Sequence, residues 1–207
     1  WSGRLEYWQR FWGRVSEWFL SFSKMIHEAR EAHQEKRRLA RVSQETKIEV
    51  LLQQAREAIQ REDLSDLEEA EEKLIEIVSL DDKYFPAFFD LGDVYLKMKK
   101  YLEAKQTWIY ALRLLELRGE KDKEAEVLFC LSEVNEALGD LAAARDNLQE
   151  ALAISPNNPR YLDSILNLCI IGKDKAAARE YLAKLAEVNP ENQKLEELAE
   201  TVAEIDK

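Results

Sequence analysis

Residues 125–158 read AEVLFCLSEVNEALGDLAAARDNLQEALAISPNN, from Ala125 to Asn158. Leu128 and Leu131 precede a Gly139-Asp140 break, and Leu141, Ala144, Leu148 and Ala151 follow it. Steps of three, four and seven are the helical period. Gly-Asp punctuates the chain between the two runs, and Pro156 stops the second. The stretch therefore codes two helices joined by a short turn.

The unit recurs on both sides. Pro159 opens another copy with Leu162, Ile165, Cys169, Ala178, Leu182, Leu185 and Pro190. Ala144 to Ala178 and Pro156 to Pro190 are both 34 residues. Upstream, Phe85-Pro-Ala-Phe-Phe-Asp-Leu-Gly-Asp-Val-Tyr95 leads to Tyr101-Leu-Glu-Ala104, Trp108 and Ala111. A still earlier unit has Ile48, Leu51, Leu52, Ala55 and Ala58, then Ala70, Leu74, Ile77 and Leu80, with Ala70 lying 34 residues before Ala104. Self-similarity at such a period marks a stack of repeats, each burying its apolar face on the next. Two places depart from it. Arg61-Glu-Asp-Leu-Ser65 reads as a lengthened loop, and Ala104 to Ala144 is 40 residues rather than 34. No proline ends the helix after Ala111, so that helix is expected to run on and stop near Gly119, a C-terminal cap.

These residues resemble the tetratricopeptide repeat, a pair of antiparallel helices. Phe88 stands where that family usually has Trp, Leu91-Gly92 and Tyr95 follow at its offsets, and Ala104 stands at its small contact position. The resemblance implies an all-α, right-handed superhelix with about four helix pairs over residues 46–190. Residues 191–207 are expected to form a capping helix, with Leu195, Leu198, Ala199, Val202 and Ile205 on one face. It also implies a concave groove that takes a peptide or helix. Carried over position by position, its lining is Phe89, Asp93 and Lys97, then Glu126, Phe129, Glu133 and Glu136, then Arg160, Asp163, Asn167 and Ile170. A clamp for a C-terminal carboxylate needs Lys, Arg and Asn there, so the expected ligand is instead basic and partly apolar. The alternative is that the acidic residues only solubilise an exposed face.

Residues 1–45 lie outside the repeats and are expected to form an aromatic, basic amphipathic helix. They hold four of the five tryptophans. At 100° per residue Trp8, Phe11, Trp12, Val15, Phe19 and Phe22 fall on one stripe, beside Trp18, while Arg10, Gly13, Glu17 and Lys24 fall opposite. Three roles stay open for this stripe: packing back on the repeats, lying at a membrane surface, or joining a partner helix in a homodimer. Because the chain opens on Trp1, a membrane-spanning segment upstream is expected, with Trp1–Trp18 near the headgroups. Residues 1–41 carry nine Lys/Arg and five Asp/Glu, which places the body on the cytoplasmic side, in a bacterial setting or otherwise. The alternative readings are a soluble cytoplasmic adaptor that dimerises through the aromatic helix, and an accessory subunit of an enzyme or secretion complex.

Composition narrows the rest. The net charge is −11, and the residues after Arg41 carry −15, which argues against nucleic acid as a ligand. No run reaches the roughly 18 consecutive apolar residues of a membrane span. There is no phosphate-binding glycine loop and no His-Glu-x-x-His pair. His27 and His33 point about 120° apart on a helix, poorly placed to share a metal. Cys130 and Cys169 fall within helical apolar patterns and read as buried thiols. No cofactor, metal or catalytic residue is expected, and the function read from the sequence is a non-catalytic protein-binding scaffold.

Overall fold

In the computed structural model the backbone is described for residues 2–61 and 63–205, and side chains for 23–61 and 63–205. The described residues form helices joined by short turns, with no strands: α1 (Ser2–Arg61), α2 (Leu64–Leu80), α3 (Phe85–Lys97), α4 (Tyr101–Glu116), α5 (Lys121–Ala137), α6 (Leu141–Ile154), α7 (Pro159–Ile171), α8 (Lys175–Val188) and α9 (Leu195–Glu204). The chain divides into two units, Trp1–Val50 and Leu51–Lys207, with the boundary inside α1. In place of the lengthened loop expected at Arg61–Ser65, α1 ends at Arg61 and α2 begins at Leu64.

In the second unit each helix from α2 to α9 packs on the next in sequence. The packing follows two kinds of column. On the second helices Ala70, Ala104, Ala144 and Ala178 are all fully buried, so backbones meet there without a side chain between them. One turn on stand Leu74, Trp108, Leu148 and Leu182, and one further Ile77, Ala111, Ala151 and Leu185. On the first helices Phe88, Leu128 and Leu162 share one column, and Gly92, Ser132 and Leu166 another. Gly92 is in contact with Trp108. The equivalent positions hold Ser132 with Leu148 and Leu166 with Leu182, so the thin position widens as its large counterpart shrinks.

The six residues by which the central spacing exceeds 34 go into helices. Helix α4 has 16 residues against 14 in α6 and α8, and α5 has 17 against 13 in α3 and α7. Gly119 follows α4 at φ +70° and its N–H reaches Leu115 O at 2.8 Å, which closes the helix where expected.

Within the pairs α3–α4, α5–α6 and α7–α8 the turn is the same. Lys99, Gly139 and Lys173 take φ of 60°, 80° and 55°. The next N–H then reaches back to Tyr95 O, Asn135 O and Cys169 O at 2.8, 2.8 and 2.9 Å. Asp140 and Asp174 cap the following helices by accepting from the N–H of Ala143 and Ala177. The left-handed conformation costs a side chain about 1 kcal/mol or more, and glycine almost nothing. Lys99→Gly and Lys173→Gly are therefore expected to raise stability by about 0.5–1 kcal/mol each, and Gly139→Lys to lower it by a similar amount. Urea midpoints of the three variants check this.

Helix α9 closes the stack. Val202 and Ile205 are buried with Leu162, Leu166, Cys169 and Leu185. Lys175 Nζ donates to Ala203 O and Ile205 O at 3.1 and 2.6 Å, a cation on the carbonyl end of the last helix.

Candidate functional site

The groove positions expected from the sequence lie on α3, α5 and α7. Helix periodicity puts Glu126, Phe129, Glu133 and Glu136 along one side of α5. Glu126 and Glu136 are exposed, and Glu133 is half-buried. Asp93 of α3 lies half-buried on one side of α5, and exposed Arg160 of α7 on the other. Arg160 Nη2 sits 3.7 Å from Glu133 Oε1, and its guanidinium lies 4.0 Å over the Phe129 ring. Phe129 is only 2% exposed, so it floors the groove rather than lining it. Tyr161, buried beside Arg160 in sequence, stacks on Phe129 with centroids 5.2 Å apart.

The other positions stand apart from this cluster. Phe89 is half-buried against Phe85, centroids 5.8 Å apart, and its carbonyl accepts from Trp108 Nε1. Lys97 is exposed at the end of α3. On α7, Asp163 and Ile170 are half-buried and Asn167 is exposed. Sequence reasoning missed Tyr161. The available signal was its place three residues after Asn158 at the start of α7, on the face that the helical period turns inward.

The carboxylates act on one another. Burial pushes the Glu133 carboxyl above the usual carboxylate range, Asp93 and Glu136 push it further, and Arg160 opposes them. Burial likewise pushes up the Cys130 thiol, helped by Glu133, Glu126 and Asp93. Cys130 is therefore a protonated, inert thiol at this surface. A carboxyl raised on folding adds stability that is fully present below its unfolded value, where it is protonated. That stability is lost as pH rises through its higher folded value. Ionised Glu133 is thus a burden on the fold at neutral pH. Glu133→Gln is expected to raise the melting temperature at pH 7, with the advantage shrinking as pH falls into the carboxylate range. Thermal melts across pH check the sign.

The stripe Trp8, Phe11, Trp12, Val15, Trp18, Phe19 and Phe22 falls on the backbone of α1, and its side chains lie outside the described residues. From Ser23 to Lys47 every side chain is exposed. His27 pairs with Glu31 at 3.3 Å, one turn on. Among the described residues no helix is long and apolar enough to cross a membrane, and no group of His, Cys, Asp and Glu is arranged to hold a metal.

Residues 84–157 match the family model of the tetratricopeptide repeat. No curated protein sequence matches the chain. Among solved structures, a tetratricopeptide repeat protein from Parabacteroides merdae is similar with a TM-score of 0.67 at 18% identity, over 77% of this chain and 60% of that one. MamA from Desulfovibrio magneticus RS-1 is similar with a TM-score of 0.59 at 20% identity, over 70% of this chain and 77% of that one. The APC/C hetero-tetramer Cut9-Hcn1 gives a TM-score of 0.62 at 20% identity, and there the match spans 71% of this chain but only 29% of the other. These likenesses support the helical-repeat fold, and no catalytic family is indicated.

Proposed function

We propose that this tetratricopeptide-type stack is a non-catalytic scaffold that binds a basic, partly apolar peptide or helix across α3, α5 and α7. One observation carries the reading. Asp93, Glu126, Glu133 and Glu136 converge from two helices over an aromatic floor, and the desolvation of Glu133 works against the fold. Asp93 and Glu133 are half-buried beside exposed Glu126 and Glu136, and a carboxylate that only solubilised the surface would gain nothing from that burial. A cationic partner would relieve that repulsion, and Phe129 and Tyr161 supply the apolar underside. Arg160 already occupies part of this site with an exposed guanidinium, a small-scale version of what a ligand cation would do.

The test is titration of the chain with a fluorescent peptide of alternating Leu and Arg, beside a Leu and Glu peptide of equal length. The basic peptide is expected to bind, more weakly as salt rises, and Glu126→Lys with Glu136→Lys to weaken it about tenfold or more. Equal binding of the two peptides, or none, sinks the reading.

The second part of the proposal is location. The basic, tryptophan-rich start of the chain supports a tether upstream of residue 1, with the acidic stack on the cytoplasmic face. Fractionation of the natural full-length protein decides it: recovery in the membrane pellet after an alkaline wash is expected, and recovery in the supernatant overturns it.

A further inference from the structure

The N-terminal unit carries a pattern that the groove does not use. Trp8, Trp12, Val15, Phe19, Phe22 and Ile26 are spaced four, three, four, three and four residues apart, and Leu5 and Ala29 extend the series by three at either end. This is a strict seven-residue repeat on a continuous helix, α1 (Ser2–Arg61). On a straight helix such a stripe drifts by about 20° per heptad, or about 70° from Leu5 to Ala29. A flat lipid surface cannot follow that drift. A second helix that supercoils with the first can, and a seven-residue repeat is what such a seam requires. Phe11, Trp18 and Met25, also seven apart, broaden the seam on one side. The apolar series ends at Ala29, since its next two positions hold His33 and Lys36.

The described part of the seam is open. Ile26 and Met25 are 36% and 56% exposed. The charges flanking it choose the occupant. On the Met25 flank stand Glu28 and Glu35, and on the opposite flank Arg30 and Arg37. All four are exposed. Glu28 and Glu35 make exposed pairs within their own helix, to Lys24 at 3.9 Å and Arg38 at 3.7 Å, which are worth little. Two copies of this helix laid parallel and in register bring the acidic flank of each against the basic flank of the other, on both sides of the seam. Laid antiparallel over the same apolar stretch, Glu28 and Arg30 of each copy would lie opposite the first ten residues of the other, and this matching of acidic and basic flanks would be lost. The sequence is thus complementary to itself in one orientation.

We infer that residues 5–37 pair in parallel and in register with the same segment of a second copy of this chain, with the apolar seam over 5–29 and the flanking charges over 28–37. The inference is independent of the groove and its ligand. One dimer then offers two grooves for paired ligands.

Sedimentation velocity of the whole chain at micromolar concentration tests it, with three variants. The chain is expected to run as a dimer. Glu28→Arg with Glu35→Arg makes both flanks basic and should raise the dimer dissociation constant by about tenfold or more. Mixing it with Arg30→Glu plus Arg37→Glu should restore association as a mixed dimer. Ala29→Cys, on the seam, should form a symmetric disulfide under mild oxidation. A monomer at every concentration overturns the inference, including one that instead sediments with phosphatidylserine vesicles. So does a dimer indifferent to both charge reversals, which would remove the parallel pairing.

Discussion

Trp108→Ala is expected to cost the fold about 3–5 kcal/mol, the usual range for emptying a buried aromatic site. The indole is 1% exposed, and its Nε1 donates to Phe89 O at 3.2 Å. That carbonyl lies one turn before Gly92, and a Cβ built on Gly92 would fall within the indole itself, against Nε1 and Cε2. The ring therefore lies flat on the α3 backbone, held by packing above and a hydrogen bond at its edge. Gly92→Ala follows from the same contact. Alanine gains about 1 kcal/mol of helix propensity over glycine, but displacing a locked ring costs about 1–3 kcal/mol or more. A net loss of stability is expected. In a Trp108→Leu background the clash is gone, as at the equivalent positions Ser132 and Leu148, and the same substitution should become stabilising. Urea unfolding followed by circular dichroism measures all three. A Gly92→Ala effect of one sign in both backgrounds would show that Trp108 does not set the size limit at this position. Repeat stacks need not unfold in one step, so midpoints are compared along with extrapolated free energies.

Phe129→Ala is expected to be about as damaging, again about 3–5 kcal/mol, and to reach further into function. The ring is 2% exposed, Tyr161 stacks on one side of it, and the Arg160 guanidinium covers it from the groove. Removing it takes the floor from under both residues that α7 contributes to the site. Phe129→Leu keeps most of the volume and should cost less than about 1.5 kcal/mol. Arg160→Ala should cost less than about 1 kcal/mol, because its side chain is 63% exposed and its ion pair with Glu133 is solvated. A double-mutant cycle between Phe129→Leu and Arg160→Ala isolates the cation–ring contact, expected at about 0.5–1 kcal/mol at such an exposed site. A coupling of zero would mean that Arg160 rests over the ring without being held by it. Loss of basic-peptide binding in Phe129→Leu with stability nearly intact would place the recognition of apolar ligand groups on this floor.

The columns that build the stack were legible in the residues. Small side chains at Ala70, Ala104, Ala144 and Ala178 can only recur at such spacings if two backbones approach there. The turn at Gly139 and the stop at Gly119 were equally plain, since both positions take the left-handed conformation that glycine favours. Lys99 and Lys173 adopt the same conformation with no such signal. The repeat imposes it, because the hydrogen bonds that close each turn and the helices packed on either side outweigh the local cost. The groove was legible as a set of positions but not as a surface. Helical spacing says which residues share a side of α5, and it says nothing about how far the neighbouring helices rise around them. Whether Phe129 lines the groove or supports it depends on Tyr161 and Arg160, more than thirty residues away in the chain. The rise of the Glu133 carboxyl comes in the same way from burial among neighbouring helices, with Arg160 of α7 opposing it and Asp93 of α3 adding to it. The sequence by itself determined the paired helices from α3 to α8, their order and their 34-residue period, because these rest on local spacing and on which side chains are small. Tertiary structure alone decided burial depth, charge environment and the partners of each groove residue, because these arise only when distant helices are brought side by side.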